Sequence, residues 1–328
     1  MIKVKIWYNQ GMIDFYTTQD STIPMSMHAL RDALKRRGWK AEKLCAESET
    51  DVILTRPDGK VIKIAACTPP NVSYYAIQLA DNKLMSYELL KSIGVNQPET
   101  VPVRRPEDAR DLLEKYGKII VKPVDGAHGR GFTGGITSFE QLTGAIELAK
   151  AASPQLKIVI AQPQLPLDEL ELRIICIDYQ FVTAIVRIPA HATGDGQHTI
   201  AELVDIENRT IRKAPYQGDL AYINPEAAKS FLGQKIQDVP QAGERVRVVA
   251  SCNVGQGGTA EDYSDKISGE IKTMAEKIAR TAELPVIGID LYGDQVIEIN
   301  ARPSLYYPTG DAGATKAVEA YIDYLTTL

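Results

Sequence analysis

Apolar residues recur at the spacing of amphipathic helices in several separate segments of the chain. Ile267, Ile271, Met274 and Ile278 fall on one face of such a helix. Glycines follow two of the patterns and end them, since glycine readily adopts the conformation found after a helix. The segments that this spacing predicts as helices are 26–37, 84–90, 138–150, 267–282 and 315–325.

Short apolar and β-branched runs predict the strands. They lie at 2–8, 61–66, 117–123, 157–162, 172–177, 180–188, 286–291 and 295–299. Tyr292-Gly293-Asp294 separates the last two runs, which predicts a hairpin. The stretch 209–243 is polar, and we predict irregular structure there. Hairpins mixed with helices predict an α+β or mixed α/β fold and not a simple doubly wound sheet.

Composition narrows the class of protein. The chain has 328 residues, 44% hydrophobic and 24% charged, with a formal net charge of -5 and scattered basic residues. A nucleic-acid partner is therefore not expected. The first residues lack a signal-peptide core, and no apolar run approaches the ~20 residues of a membrane span. Four widely spaced cysteines indicate a reducing compartment, so we predict a cytoplasmic protein without membrane contact.

The first candidate site is a lysine inside an apolar strand, followed by a glycine-rich loop. Lys122 lies in Ile120-Val-Lys-Pro123, and Gly126, Gly129 and Gly131 come next. Burying an ammonium is costly unless an anion meets it. Glycine loops also let backbone N–H groups close over phosphates. The pattern favours phosphate binding, while a strand end with a flexible hairpin loop remains the alternative.

The second candidate site is a set of oxygen-bearing side chains on the predicted hairpin. Glu298 and Asn300 alternate along one strand and therefore point to the same face, and Asp290 lies on the preceding strand. Two carboxylates and an amide oxygen suit Mg²⁺. The alternative is a solvated strand face, which the apolar neighbours Val296 and Ile299 disfavour.

With these two sites in order, the sequence resembles the ATP-grasp superfamily. Within it, the chain is similar to the ATP-grasp domains of cyanophycin synthetase and bifunctional glutathione synthetase. Three segments carry the narrower resemblance, namely 187–203, Asn208-Arg209 and 253–260. The resemblance covers 81–328. It implies a small N-terminal α/β domain at 1–80 and two ATP-grasp subdomains, 81–162 and 163–328, that clamp the nucleotide.

The resemblance also implies roles for individual residues. The residues that would bind ATP are Lys83, Lys122, Gly126, His128, Gly129, Arg130, Gly131, Gln162 and Glu171. Among these the lysines would hold the phosphates, 126–131 would fold over them, and Glu171 would accept the ribose hydroxyls. The metal ligands would be Asp290, Glu298 and Asn300, and the candidate catalytic residues are Arg173, Arg187, Asn253, Gly257 and Arg302. Arg173 and Arg187 match positions beside an acyl phosphate, with a surface ion pair as the alternative.

The sequence departs from the family pattern at three places, mostly in segments that the resemblance assigns to the substrate half of the site. The adenine-hinge glutamate is replaced within Ala161-Gln162-Pro163, so Gln162 or backbone groups would meet the purine. Val249 stands where the family has an arginine, and 302–307 replaces the approach to a Met-His pair.

The implied function is a ligase that phosphorylates a carboxylate and joins it to an amine. Its cofactors would be ATP and Mg²⁺, with two ions that Mn²⁺ can replace, and its substrates amino acids or peptides. Two alternatives stay open: a phosphotransferase that stops at a phosphorylated product, and a non-catalytic ATP-binding maturation partner. A homodimer is a further possibility that the sequence leaves undecided.

Overall fold

Antiparallel strand pairs build the molecule. The computed structural model describes residues 12–17, 23–45, 48, 50–126, 129–166, 169–211, 222–250, 252, 254–307 and 315–328. Within these residues the strands form two four-stranded sheets, one five-stranded sheet and one two-stranded sheet. No helix in the same residues is long and apolar enough to cross a bilayer.

The N-terminal unit is a four-stranded meander covered by one helix. Its elements are β1 (Ile13–Asp14), α1 (Met25–Arg36), β2 (Lys40–Lys43), β3 (Asp51–Thr55) and β4 (Val61–Ala65). The predicted helix at 26–37 and the predicted strand at 61–66 are confirmed. Gly38 follows α1 with a φ of 72°, the left-handed conformation that ends helices. The strand predicted at 2–8 lies outside the described residues.

The second unit contains a four-stranded sheet in the order β5-β8-β6-β7. Its elements are β5 (Val101–Val103), α4 (Arg110–Tyr116), β6 (Ile119–Pro123), β7 (Thr133–Ile136), α5 (Phe139–Ala152) and β8 (Val159–Pro163). α2 (Tyr74–Asp81) and α3 (Lys83–Ser92) precede it along the chain and pack against the five-stranded sheet described next. Ser138 and Gln141 form a capping box at the start of α5, with Ser138 accepting from the Gln141 amide and the Gln141 side chain accepting from the Ser138 amide. α5 thereby begins where the sequence predicted.

The third unit carries the five-stranded sheet, in the order β13-β10-β9-β14-β15. Its elements are β9 (Glu171–Ile177), β10 (Gln180–Ile188), β11 (His191–Thr193), α6 (Ile200–Ile211), α7 (Pro225–Leu232), β12 (Arg245–Arg247), β13 (Thr259–Asp262), α8 (Gly269–Thr281), β14 (Val286–Tyr292), β15 (Gln295–Asn300) and α9 (Lys316–Thr327). β11 and β12 pair separately. The predicted β14–β15 hairpin and the predicted helices at 267–282 and 315–325 are confirmed.

The prediction of irregular structure at 209–243 is wrong for much of that stretch. It contains the end of α6, all of α7 and a 3₁₀ helix at Gly233–Gln237. Ile223, Ala228 and Ile236 are buried there in a small core of their own. Because these apolar residues are sparse and the helices short, no long periodic pattern marks them in the sequence.

The first sheet and the last helix share one core. Leu54 and Ile64 from the N-terminal meander are buried with Tyr321 and Leu325 from α9, and Ile177 of β9 completes the contact. Burying these side chains together fixes the N-terminal unit against one face of the five-stranded sheet. Alternate residues of a strand share a face, so Arg173 lies on the same face as Ile177, farther along β9, and the charged residues described next lie there.

Candidate active site

A row of charged residues crosses the centre of the five-stranded sheet. The β14–β15 register places Asp290 opposite Glu298, and the β9–β14 register places Arg173 on the other side of Asp290. Asn300 lies on the same face as Glu298 because alternate residues of a strand share a face. The expectation that Asp290 lies within reach of Glu298 and Asn300 is therefore met by the strand register.

Two arginines form ion pairs with the buried carboxylate of Asp290. Nη2 of Arg173 donates to Oδ2 of Asp290 at 2.9 Å, and Nε of Arg173 donates to Oδ1. Nη2 of Arg187 lies 2.9 Å from Oδ2 of Asp290 and also pairs with Glu171. Burial alone would raise the pKa of the Asp290 carboxyl, but Arg173 and Arg187 together hold it below its ordinary value. Both arginines do form ion pairs, and these pairs are buried, unlike the surface pair of the alternative.

Gly288 provides the space in which the Arg173 side chain lies. A Cβ at position 288 would lie 2.8 Å from Cβ of Pro303 and 3.2 Å from both Cδ and Nη1 of Arg173. Any larger residue there would push the guanidinium away from Asp290 or displace Pro303. The hydroxyl of Tyr307 accepts from Nη1 of Arg173 at 3.2 Å. Sequence reasoning missed Gly288 and Tyr307 as site residues; for Tyr307 the available signal was its place in the segment that departs from the family.

Lys83 connects the second unit to the charged row. Its ammonium lies 3.1 Å from Oε1 of Glu298 and donates to the carbonyl of Gly126 at 2.5 Å. Asn82 caps α3 and so fixes the position of Lys83, whose amide also donates to the carbonyl of Val124 at 3.1 Å. Lys83 thus joins β15 to the loop that follows β6.

Lys122 lies on β6 near the same carboxylates. It has no hydrogen bond or ion pair with the residues that the structure describes, although Glu298, Asp290 and Glu171 are close enough to act on its charge. Burial lowers the pKa of Lys122 to about 8, with the nearby charge of Lys83 adding to the fall and the carboxylates opposing it. A partly buried ammonium without a partner favours an incoming anion.

Two glycines that follow β6 lie in close contact with their surroundings. A Cβ at Gly126 would lie 2.4 Å from Cγ of Pro123, and one at Gly131 would lie 2.6 Å from Cβ of Ala152. Gly129 and Gly131 have φ values of 71° and 72°. Steric crowding and backbone conformation therefore explain why glycine occupies these positions, whether or not the glycines contact phosphates. Arg130 is exposed on the loop, and His128 lies outside the described residues.

Gln162 lines a narrow crevice between α3 and β15. The crevice also contains Lys83, Tyr87, Gln97 and Glu298. The Gln162 amide donates to Oγ1 of Thr100 at 2.8 Å, which leaves its carbonyl oxygen for other contacts. The crevice lies beside the lysine that pairs with Glu298.

Only some of the remaining candidate site residues lie beside the charged row. Arg302 instead pairs with Asp81 at 2.6 Å, and both side chains are nearly half exposed. Gly257 follows a 3₁₀ turn with a φ of 85°, and Asn253 lies outside the described residues. Glu171 is already paired with Arg187.

The donor set matches Mg²⁺ in its chemistry. Glu298 and Asn300 supply hard oxygen atoms on one face, and Asp290 adds a third whose charge is shared with the arginines. The Nδ2 atom of Asn300 is buried without a hydrogen-bond partner, so its side chain is not committed elsewhere among the described residues. No group of three His, Cys, Asp or Glu residues suited to a metal exists in the described part of the chain. A cation here would need phosphate oxygens to complete its shell.

Comparison with known proteins places this geometry in a family. Residues 82–214 match the sequence model of the ATP-grasp domain of prokaryotic glutathione synthetase. The bifunctional glutathione synthetase of Pasteurella multocida superposes with a TM-score of 0.63 at 22% identity, over 94% of this chain and 44% of that one. The protein has the ATP-grasp fold. The fold class and the family resemblance expected from the sequence are thereby confirmed.

Two relatives are similar to this chain in sequence over much of its length. Cyanophycin synthetase of Crocosphaera subtropica is 30% identical over 247 residues, which are 70% of this chain and 28% of that protein. The bifunctional glutathione biosynthesis protein of Clostridium perfringens is 26% identical over 254 residues, covering 71% of this chain and 32% of that protein. This chain therefore corresponds to about a third or less of each relative's length.

Proposed function

We propose that this ATP-grasp chain is an ATP-dependent carboxylate–amine ligase that works through an acyl phosphate and releases ADP and phosphate. The observation that carries the proposal is the meeting of Lys83, Glu298 and Lys122 beside the Arg173–Asp290–Arg187 cluster. Glu298, which can bind a cation, and Lys83, which can bind an anion, line the same crevice. Binding of Mg·ATP requires both kinds of charge.

The lysines serve the nucleotide. Lys122 offers an unpaired ammonium to the phosphates, and Lys83 can exchange Glu298 for a phosphate oxygen. Glu298, Asn300 and Asp290 would hold Mg²⁺, as two ions that Mn²⁺ can replace, and the metal would neutralise the charge that builds on the phosphates. Backbone N–H groups at Gly126–Gly131 would cover the same phosphates, with Gln162 facing the purine and Glu171 the ribose.

The arginines serve the second half-reaction. When an amine attacks the acyl phosphate, negative charge develops on the former carboxylate oxygen, and a preorganised cation stabilises that charge. Arg187 and Arg173 already occupy fixed positions beside Asp290. Asn253, Gly257 and Arg302 stay candidates for substrate contact. We propose amino-acid or peptide substrates, a class that the names of the glutathione and cyanophycin relatives support.

The fold suggests how the three parts cooperate. We propose the division at residues 80 and 162, in which the sheet carrying Lys122 closes over the sheet carrying Asp290. A homodimer stays a prediction that sedimentation can test.

Trapping of the acyl phosphate tests the reaction. With a candidate acid present and amine withheld, hydroxylamine should convert the intermediate into a hydroxamate, together with ADP and phosphate. The screen runs over amino acids and dipeptides, with Lys122→Met as the inactive control. AMP and pyrophosphate as products would mean an adenylate route and would reject the proposal. A stable phosphorylated product, formed regardless of any amine, would point to the phosphotransferase.

A further inference from the structure

The two arginines at Asp290 are not in equivalent states. All three nitrogen atoms of the Arg173 guanidinium are engaged, two by Asp290 and one by the Tyr307 hydroxyl. Arg187 makes both of its ion pairs through Nη2 alone. Its Nε is buried and has no hydrogen-bond partner among the described residues. Only Arg187 therefore keeps a buried donor for an incoming oxygen.

Packing keeps Tyr307 in place at the end of the segment that follows β15. Its ring is buried against Ile185, Val254 and Ala260. The hydroxyl is thereby held where it meets Nη1 of Arg173, while Gly288 leaves room on the other side of that guanidinium. The Arg173 side chain is clamped between a hydroxyl, a carboxylate and a glycine.

We propose that Tyr307 is a positioning residue that keeps Arg173 on Asp290 and so leaves Arg187 as the arginine that contacts the transferred phosphate. This division of roles rests on the proposed function, because it assigns a substrate contact within the same site. Without the hydroxyl, Nη1 of Arg173 is a buried donor in need of an acceptor, and such a group seeks another partner. The nearest change that satisfies it is rotation away from Asp290, which then draws Arg187 more tightly and withdraws it from the substrate.

Nitrogen NMR of the arginine side chains tests the positioning role on the ligand-free protein. The Nε–H signals are assigned by Arg173→Lys and Arg187→Lys. Tyr307→Phe retains the ring packing and should shift the Arg173 signal and speed its hydrogen exchange at least about tenfold, with a smaller shift of the Arg187 signal as that arginine moves closer to Asp290. Tyr321→Phe is the matched control, since the Tyr321 hydroxyl is buried without a partner in the described residues. An unchanged Arg173 signal in Tyr307→Phe would overturn the proposal.

Addition of Mg·ADP and then inorganic phosphate to the wild-type protein tests the division of roles. Phosphate should move the Arg187 Nε–H signal and leave that of Arg173. A shift at Arg173 alone, or bound Mg·ADP with no shift at Arg187, overturns the assignment. If calorimetry shows no binding of Mg·ADP, the proposed function and the role of Arg187 both fail, while the ligand-free comparison still decides the role of Tyr307.

Kinetics with the acid found by hydroxylamine trapping gives a second measurement. Tyr307→Phe should lower kcat about tenfold, the cost of one hydrogen bond to a charged group, with KM for the acid within about twofold. In the Arg173→Lys background and in the Arg187→Lys background the same change should add little, because Tyr307 acts on turnover through both arginines. Losses that multiply in both backgrounds would show that Tyr307 does not act through Arg173.

Discussion

Two groups of buried charge lie side by side in this molecule and are stabilised in opposite ways. Asp290 pairs with both Arg173 and Arg187 across three strands of one sheet, and Glu171 supplies a second negative charge to Arg187. Lys122, on the other sheet, has no ion pair with any described residue, and burial lowers its pKa to about 8. A paired cluster keeps its geometry without ligand, whereas an unpaired ammonium gains its counter-charge only when an anion binds.

Replacement of Lys122 should have the largest effect on turnover. Lys122→Met removes a charge that serves the phosphates, so ADP release should fall roughly a thousandfold, equivalent to a few kcal/mol of lost stabilisation. The circular dichroism spectrum should be unchanged, because no described contact depends on the ammonium. Near-normal turnover in a folded Lys122→Met protein would remove the lysine from the nucleotide site.

Replacement of Asp290 should instead damage the fold. Asp290→Asn leaves two buried guanidinium groups without their shared counter-charge, and the free energy of unfolding should fall by about 3–5 kcal/mol. Asp81→Asn, which breaks the exposed pair with Arg302, is the control and should cost about 1 kcal/mol or less. Urea denaturation of both variants measures the difference. Equal losses would show that the buried cluster is no more important to stability than a surface pair.

Glu298 lies where the two groups meet and should affect ligand binding more than folding. Glu298→Gln should weaken Mg·ATP binding at least about tenfold, because an amide cannot neutralise a bridging cation. Titration calorimetry against Gln295→Ala, a change on the same strand, provides the comparison. If both variants bind Mg·ATP alike, the metal is held elsewhere.

The stability of the free protein should carry a pH signature of Lys122. Burial lowers the pKa of Lys122 from its ordinary value of 10.5 to about 8 in the folded state, so the unfolded chain holds more protons between these values. Stability should therefore rise with pH across this window, and the cost of burying the charge is fully present below pH 8. Lys122→Met should be more stable than wild type by about 1–3 kcal/mol at pH 7, with the gap closing toward pH 10.5. A gap independent of pH would contradict a buried, unpaired ammonium.

The smallest expected effect concerns the glycine loop between the two groups. Arg130 is exposed there, and trypsin should cut after it in the free protein. A non-hydrolysable ATP analogue with Mg²⁺ should slow this cleavage severalfold if the loop folds over phosphates. A larger side chain at Gly126 or Gly131 would clash with Pro123 or Ala152 in the free protein. If the cleavage rate is the same with and without the nucleotide, these glycines have a purely structural role.

Local patterns in the sequence determined many of the elements and part of the site. Apolar spacing was enough for α1, α8, α9 and the β14–β15 hairpin, because each depends on neighbouring residues. The hairpin turn also fixes which residues oppose each other, so Asp290 beside Glu298 followed from the sequence. The lysine–glycine pattern after β6 was equally local. The short helices within 209–243 escaped prediction, since few apolar residues mark them.

Tertiary structure alone decided how these parts meet. Placing β9 next to β14 puts Arg173 beside Asp290, and strand order depends on long-range packing that no periodic pattern encodes. Long-range packing likewise brings together Lys83 and Glu298, which are distant in sequence. It also places the Tyr307 hydroxyl where it accepts a hydrogen bond from Arg173. The sequence by itself determined which charges the chain possesses. Only the packing of its sheets decided which of them are paired, and it left Lys122 without an ion pair to any described residue.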